Sequence, residues 1–337
     1  MDRRQFLKSS MLGGTSALYA CGSDAPFAPT PDDVNEYVPP EPNGPASPVA
    51  LVRTQDRAAG VRKVLELLAL PPISQMNVFL KPNFNTADPP PASTHNMTLE
   101  ELVVQLYDRG ANSITLGERT SGNTSQIMDQ KGIGELAARL GFGVEDYDHF
   151  DPGSSRWSYF SDPELHWSDG LFVPAAARDA DCVVTTCCLK THRWASFTMS
   201  LKLGVGLLPH EMMSALHADW GDIRTRIAEI NLAYQPDLIV MDGVEAFISG
   251  GPTEGTLSRP NVMLAGTDRV AIDAAGVAIL KKEGCTSISG RIFSQEQIRR
   301  AAQLNIGISA PSQVEFVTDD DASREYAGTL DYLLAEG

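Results

Sequence analysis

Short apolar runs alternating with amphipathic helical stretches constrain this chain more than any other feature. Between residues 57 and 70, Val61, Val64, Leu65 and Leu68 recur at i, i+3, i+4 and i+7, which predicts a helix. An apolar strand follows at 77–80. Thr98 is placed to cap a second helix whose Leu99, Leu102, Val103 and Leu106 share one face, and Gly110 is placed to end it. A strand at 113–116, a helix at 132–140 and a strand at 144–147 continue the order. A second block begins with a strand at 181–186 and runs through a helix at 222–232 and strands at 237–241 and 261–265. Helices at 269–282 and 294–304 and a strand at 314–317 complete it. Strands separated by helices predict an α/β fold over residues 49–337: mainly parallel sheet with helices on both faces, as one elaborate domain or as two closely joined lobes, 49–175 and 176–337. Residues 148–173 carry Trp157, Tyr159, Phe160 and Trp167 among turn residues, which fits either a lid or an irregular packed insertion.

The start of the chain belongs to targeting rather than to this fold. Asp2-Arg3-Arg4-Gln5-Phe6-Leu7-Lys8 precedes a mildly apolar run from Met11 to Ala20, the pattern of a twin-arginine export signal. The run is too short for a bilayer span, which needs about 20 apolar residues. It ends in Leu18-Tyr19-Ala20-Cys21, so residues 1–21 are read as a lipoprotein-type leader with Cys21 the lipidation site. The expected location is the periplasm or cell envelope, lipid-anchored through Cys21. The expected handling partner is the twin-arginine export machinery, with membrane contact only through leader or anchor. That route resembles one taken by proteins already folded, often around a cofactor loaded in the cytoplasm. Residues 22–48, rich in Pro, Asp, Asn and Ser, are read as a disordered tether. The net charge of −16 becomes −18 once Asp2, Arg3, Arg4 and Lys8 are removed. Such a surface repels phosphate backbones, so nucleic acid is an unsuitable partner. Cys182, Cys187, Cys188 and Cys285 show no CxxC spacing, so no iron–sulfur cluster is expected.

In an open α/β sheet, ligands bind beyond the carboxyl ends of parallel strands. Here those ends read Lys81-Pro82-Asn83, Gly117-Glu118-Arg119, Cys187-Cys188-Leu189-Lys190-Thr191-His192, Asp242-Gly243 and Gly266-Thr267-Asp268. If the strands are parallel neighbours, they converge on one crevice. Asp268 alone also fits as the N-cap of the helix at 269–282. No G-x-G-x-x-G, P-loop or G-x-S-x-G pattern is present.

Several of these segments carry a family resemblance: Lys81-Pro82-Asn83, Thr94-His95, Gly117-Glu118, Lys190-Thr191-His192, Thr198-Met199-Ser200-Leu201-Lys202, Asp242-Gly243, Gly250-Gly251-Pro252 and Asp268-Arg269-Val270-Ala271-Ile272-Asp273. In this order they resemble the domain-of-unknown-function family 362 over most of residues 78–283. The stretch from Lys190 to Lys202 is its most specific part. Some members carry an added ferredoxin domain with two four-iron clusters, whose cysteines this chain lacks. Many members also have asparagine after the second lysine, where this chain has Leu203. They have Glu-Gly-Asn-Gly-Pro where this chain has Ile248-Ser249-Gly250-Gly251-Pro252.

The residue types point to an anionic ligand. Lys190, His192 and Lys202 are the candidate catalytic groups, with Lys81, Asn83, Glu118, Arg119, Thr191 and Gly251 as candidate substrate-binding positions. Crowded lysines repel one another, which lowers the pKa of one toward general-base or Schiff-base use. Asp242, Glu245 and His210 are candidate ligands for a divalent metal, with His192 and His217 as further imidazoles; His210 and His217 suit an exposed helix equally. The expectation is an exported enzyme, of the oxidoreductase or isomerase class, acting on a small anionic molecule. The alternative is a lipid-tethered protein that binds an anionic solute without turning it over.

Overall fold

The computed structural model describes residues 41–70 and 72–336; the expected leader with Cys21, and most of the expected tether, lie outside the described residues. Twelve strands are described: β1 (Ser47–Arg53), β2 (Asn77–Lys81), β3 (Ser113–Glu118), β4 (Gly143–Asp146), β5 (Trp157–Phe160), β6 (Leu171–Pro174), β7 (Cys182–His192), β8 (Ser196–Thr198), β9 (Leu238–Gly250), β10 (Gly255–Ser258), β11 (Val262–Gly266) and β12 (Val314–Val317). All but β5 and β6 form one sheet in the order β12-β1-β11-β9-β7-β2-β3-β4, with β10 beside β9 and β8 beside β7. Both segments expected as lobes supply strands to this single sheet.

Neighbours from β9 through β7, β2 and β3 to β4 are parallel. β11 runs antiparallel to both β9 and β1. No helix separates β9 from β11, and a parallel return needs a long crossover, so the chain comes back antiparallel. This corrects one expectation: Gly266-Thr267-Asp268 leaves the sheet at the end opposite to the crevice. Asp268 instead caps the helix Arg269–Lys282, its side chain accepting from the Ala271 N–H.

Alternation along each strand divides the core between two faces. Val49, Leu51, Ile239, Met241, Val262 and Leu264 pack with the buried helix Arg269–Lys282. Ala50, Val52, Leu238, Val240, Met263 and Ala265 pack with Val61, Val64 and Leu65 of helix Arg57–Leu67 and Leu99, Leu102 and Val103 of helix Asn96–Asp108. Each buried Val, Leu, Ile or Met among these stabilises the fold by about 1.5–3 kcal/mol. The aromatic segment 148–173 forms the hairpin β5–β6, and Trp157 and Trp167 are buried with Tyr147, Phe79 and Phe172. Phe150 meets Trp157 edge-on with ring centroids 5.2 Å apart. The segment is a packed insertion.

At three places the local structure differs from what the sequence predicts. Helix Asn96–Asp108 is capped by His95, whose Nδ1 accepts from the Met97 N–H, so Thr98 lies inside the helix and donates its hydroxyl to Asp242 Oδ2 at 2.8 Å. β7 and β9 run on well past the ends expected at Thr186 and Met241, so Lys190, Thr191 and His192 sit within a strand, covered by β8. The last expected tether residues are tied down: the Asn43 N–H donates to Ser309 Oγ, and Gln313 Nε2 donates to Asn43 Oδ1 and the Gly44 carbonyl. β1 then begins at Ser47, paired with Val314.

Candidate functional site

The carboxyl ends of β2 and β3, the extended part of β7, strand β8 and the segment 202–223 enclose a cavity of about 470 Å³. Lys81, Asn83, Glu118, Arg119, Lys190, His192, Thr198, Lys202, His210 and His217 all contribute to its lining. Leu203, Val205, Met213, Leu216, Ile223, Ile227 and Trp194 supply its apolar wall. Parallel pairing explains the convergence. The β2–β3 register sets Leu80 against Leu116, and the β2–β7 register sets Lys81 against Thr185, so the residues that follow emerge at one edge.

Lys81 and Glu118 form an internal pair. Both are 1% exposed, with Nζ 2.5 Å from Oε1, and the ammonium also donates to the Pro82 carbonyl. Glu118 accepts further bonds from the Phe84 and Arg119 N–H groups. Burial pushes the carboxyl up and the amine down, each opposed by its partner's charge. Gly206 lies directly against this pair: a Cβ there would stand 2.5 Å from Glu118 Oε1 and 2.7 Å from Lys81 Nζ. Arg119 is committed as well, donating to the carbonyls of Leu208, Thr120 and Val205. Arg119 ties the cavity's floor to the segment 204–208, while Lys81 and Glu118 are paired with each other against Gly206, and all three still line the cavity.

Lys190 and Lys202 are different. Lys190 is fully buried and donates to Asn83 Oδ1 at 2.9 Å and the Ala92 carbonyl at 2.5 Å, both neutral acceptors. Burial lowers its pKa to about 8. Lys202, partly exposed through the cavity it lines, is lowered to about 7, by burial first and then by repulsion from Lys190 and Arg119. Neither lysine pairs with a carboxylate among the described residues. Lys202 is held from below. Its helical turn, Ser200–Leu203, begins on Asp273, whose carboxylate accepts from the Ser200 N–H at 2.7 Å and the Leu201 N–H at 3.0 Å. Asn231 Nδ2 donates to the Leu201 carbonyl, and Arg269 Nη1 donates to Asn231 Oδ1. The Asp268-Arg269-Val270-Ala271-Ile272-Asp273 segment thus caps one helix and anchors the turn that presents Lys202.

Hydrogen bonding assigns the two histidine tautomers. His192 Nδ1 accepts from the Trp194 and Ala195 N–H groups, so the proton of the neutral ring sits on Nε2. Burial, with Lys202 and Lys190 nearby, holds its pKa well below the ordinary value. His192 is therefore a donor, not the general base that residue type alone allows. His217 Nδ1 lies 2.7 Å from the Met213 carbonyl and must donate to it, which leaves the Nε2 lone pair free. Burial lowers its pKa, against a rise from that hydrogen bond. Thr198, 4% exposed, has a hydroxyl with no hydrogen-bond partner among the described residues.

Other expected site residues lie elsewhere. Thr191 points its hydroxyl at the Phe247 carbonyl, and Gly251, at φ +76°, packs so closely that a Cβ would stand 1.9 Å from the Thr191 carbonyl oxygen. Both shape the wall without lining the cavity. Asp242 and Glu245 are bound by Arg57, at 2.8 and 3.1 Å, while His210 Nε2 lies 3.4 Å from Asp148. The expected metal set of Asp242, Glu245 and His210 is thus not assembled, and among the described residues no group of three or more His, Cys, Asp or Glu is placed to hold a metal. His217, Thr198 and Asp273 are the residues that sequence reasoning undervalued. Thr198 and Asp273 stood in the sequence only within segments that carry the family resemblance, and His217 only as a further imidazole.

Residues 78–278 match the family described as "Domain of unknown function (DUF362)". The chain is 26% identical over 303 residues to a thylakoid-associated protein of Synechocystis sp., a match covering 85% of this chain and 90% of that protein. Among solved structures it is similar to the lactate racemase apoprotein from Thermoanaerobacterium thermosaccharolyticum, with a TM-score of 0.43 and 14% identity. That match covers 72% of this chain and 56% of the racemase chain.

Proposed function

We propose that this chain, which belongs to the family Domain of unknown function (DUF362), is an enzyme that moves a proton on a small anionic substrate. The observation that carries the reading is the presence of Lys190 and Lys202 in one cavity with no carboxylate partner among the described residues. Two lysine amines with no carboxylate partner among the described residues, lowered to about 8 and about 7, make a site in a protein of net charge −16 that an arriving anion would complete by raising their proton affinity. Lys190, the His192 Nε2–H and the Thr198 hydroxyl are the donors for its negative group. The free Nε2 of His217 supplies a base with a defined tautomer. The apolar wall from Leu203 to Ile227 limits water at the reacting carbon. An isomerase-class proton transfer uses all of these groups.

The test is a screen of small carboxylates and phosphates by thermal shift, followed by proton NMR of each binder with enzyme in D2O. Loss of a substrate C–H signal, abolished in His217→Asn, is the expected result. Binding with no exchange for any binder would replace the enzyme with a solute-binding protein. Export through the twin-arginine route and anchoring at Cys21 belong to the same proposal, and a relative described as thylakoid-associated is consistent with work at a membrane surface. Fractionation of cells carrying Arg3→Lys with Arg4→Lys tests it, retention in the cytoplasm being expected because the receptor reads the paired guanidinium groups and not charge alone.

A further inference from the structure

Of the seven lysines among the described residues, three line this cavity, and their amines stand in three different chemical conditions. Lys81 is committed to Glu118 and the Pro82 carbonyl. Lys190 is held by two neutral oxygens, a setting that fixes an ammonium in place as a donor. Lys202 has neither a hydrogen bond nor an ion pair among the described residues, although the turn beneath it is pinned by Asp273 and Asn231. Its position is set and its nitrogen is free. The groups acting on it electrostatically are Lys190, Arg119, His192 and His217, none of them a carboxylate, and Leu203, Val205, Ile223 and Ile227 line the same cavity. A lysine kept only to attract an anion gains nothing from this setting. A lysine that must spend much of its time as a neutral nucleophile needs apolar walls and neighbouring cations.

The rest of the cavity specifies what such a nucleophile would meet. Lys190, the His192 Nε2–H and the unpartnered Thr198 hydroxyl are donors for a carboxylate. A substrate whose carboxylate occupies these donors would bring the adjacent carbon toward the remaining cationic wall. We propose that Lys202 condenses with the carbonyl of a short 2-oxo acid, forming a Schiff base while the acid's carboxylate rests on Lys190, His192 and Thr198. This deepens the proton-transfer reading above and rests on it.

The chemistry balances without a redox partner. The Lys202 Nζ lone pair adds to the carbonyl carbon, the C–O π bond opens onto oxygen, and one N–H proton passes to that oxygen to give a carbinolamine. The hydroxyl then takes one further proton and leaves as water, and the nitrogen lone pair forms the C=N bond of an iminium. Amine, ketone and one proton thus become iminium and water. The iminium withdraws electrons from the neighbouring carbon, so the Nε2 of His217 can take a proton there and leave an enamine, which is the step the proton-transfer reading requires. Bound at Nε2, that proton is available for return to carbon.

The experiment traps the adduct. Mature protein is incubated with pyruvate or phenylpyruvate, reduced with sodium borohydride, and examined by intact mass and peptide sequencing. One reduced adduct per chain, on Lys202, is expected, together with its loss in Lys202→Arg and in Lys202→Met. Lys190→Met should still form the adduct but only at higher acid concentration. Thermal melting of each variant shows that it is folded. An adduct spread over the other lysines at the rate seen in urea-unfolded protein, or no adduct at all, overturns the assignment. Propionate and inorganic phosphate, which cannot form an imine, separate the two readings. If they bind and Lys190→Met abolishes that binding while no oxo acid is trapped, the covalent step falls and the anion site stands. If nothing binds and nothing is trapped, both fall.

Discussion

Replacing Lys202 by Met should make the protein more stable at neutral pH, by an amount that fades as the pH rises. In the native state the amine is lowered from an ordinary value of 10.5 to about 7, by burial first and then by the charges of Lys190 and Arg119. At about 1.36 kcal/mol per tenfold change in proton affinity, keeping the ammonium charged in the folded protein costs at most about 5 kcal/mol. Water in the cavity reduces this, so a gain of about 2–3 kcal/mol is expected for Lys202→Met at pH 6. Methionine retains most of the stem's apolar contacts. The sign follows from linkage. Below pH 7 both folded and unfolded states hold the proton and the wild type bears the full penalty. Between pH 7 and 10.5 the unfolded chain binds more protons than the native one, so wild-type stability climbs toward that of the variant. By pH 9 the difference should be under half its value at pH 6, about 1 kcal/mol. Urea unfolding followed by far-ultraviolet circular dichroism at pH 6, 7.5 and 9 measures it. A variant no more stable than wild type at pH 6, or a difference that stays constant across this range, would refute the claim that the amine's charge goes uncompensated in the cavity.

Anion binding should draw protons from solution near pH 7.5, because a negative group beside Lys190 and Lys202 raises both amines from about 8 and about 7. Calorimetric titration in two non-anionic buffers of different ionisation enthalpy should show uptake approaching about one proton per anion, and equal heats in the two buffers would contradict it. Lys81→Met should cost about 3–5 kcal/mol, since it leaves the buried Glu118 carboxylate without its cation. Adding Glu118→Gln should recover much of that loss in denaturant titrations, and a mild single-mutant effect with no recovery would mean the pair is not coupled. Gly251→Ala should lower stability by roughly 3 kcal/mol or more, because the position needs φ +76° and its Cβ would overlap the Thr191 carbonyl. An unchanged melting temperature would show that the wall there can yield.

Much of the architecture was legible because it is written in local periodicity. The helix Arg269–Lys282, its Asp268 cap and the strand cores of β2, β3, β7 and β9 follow from neighbours a few residues apart. So does the concentration of lysine, asparagine and histidine just beyond the apolar part of β2 and β7. What depends on partners distant in the chain was not legible. The antiparallel direction of β11 is set by which strand it pairs with, and that choice sent Asp268 away from the cavity. The burial of Thr98 against Asp242, and the Arg57 ion pairs that remove Asp242 and Glu245 from any metal set, link residues far apart in sequence. The division of labour among the lysines is the clearest case. Lys81, Lys190 and Lys202 are chemically the same residue in the sequence. Tertiary packing gave one a carboxylate, one two neutral oxygens and one no partner among the described residues, because the cost of a buried charge is decided by what surrounds it in three dimensions and not by its neighbours along the chain.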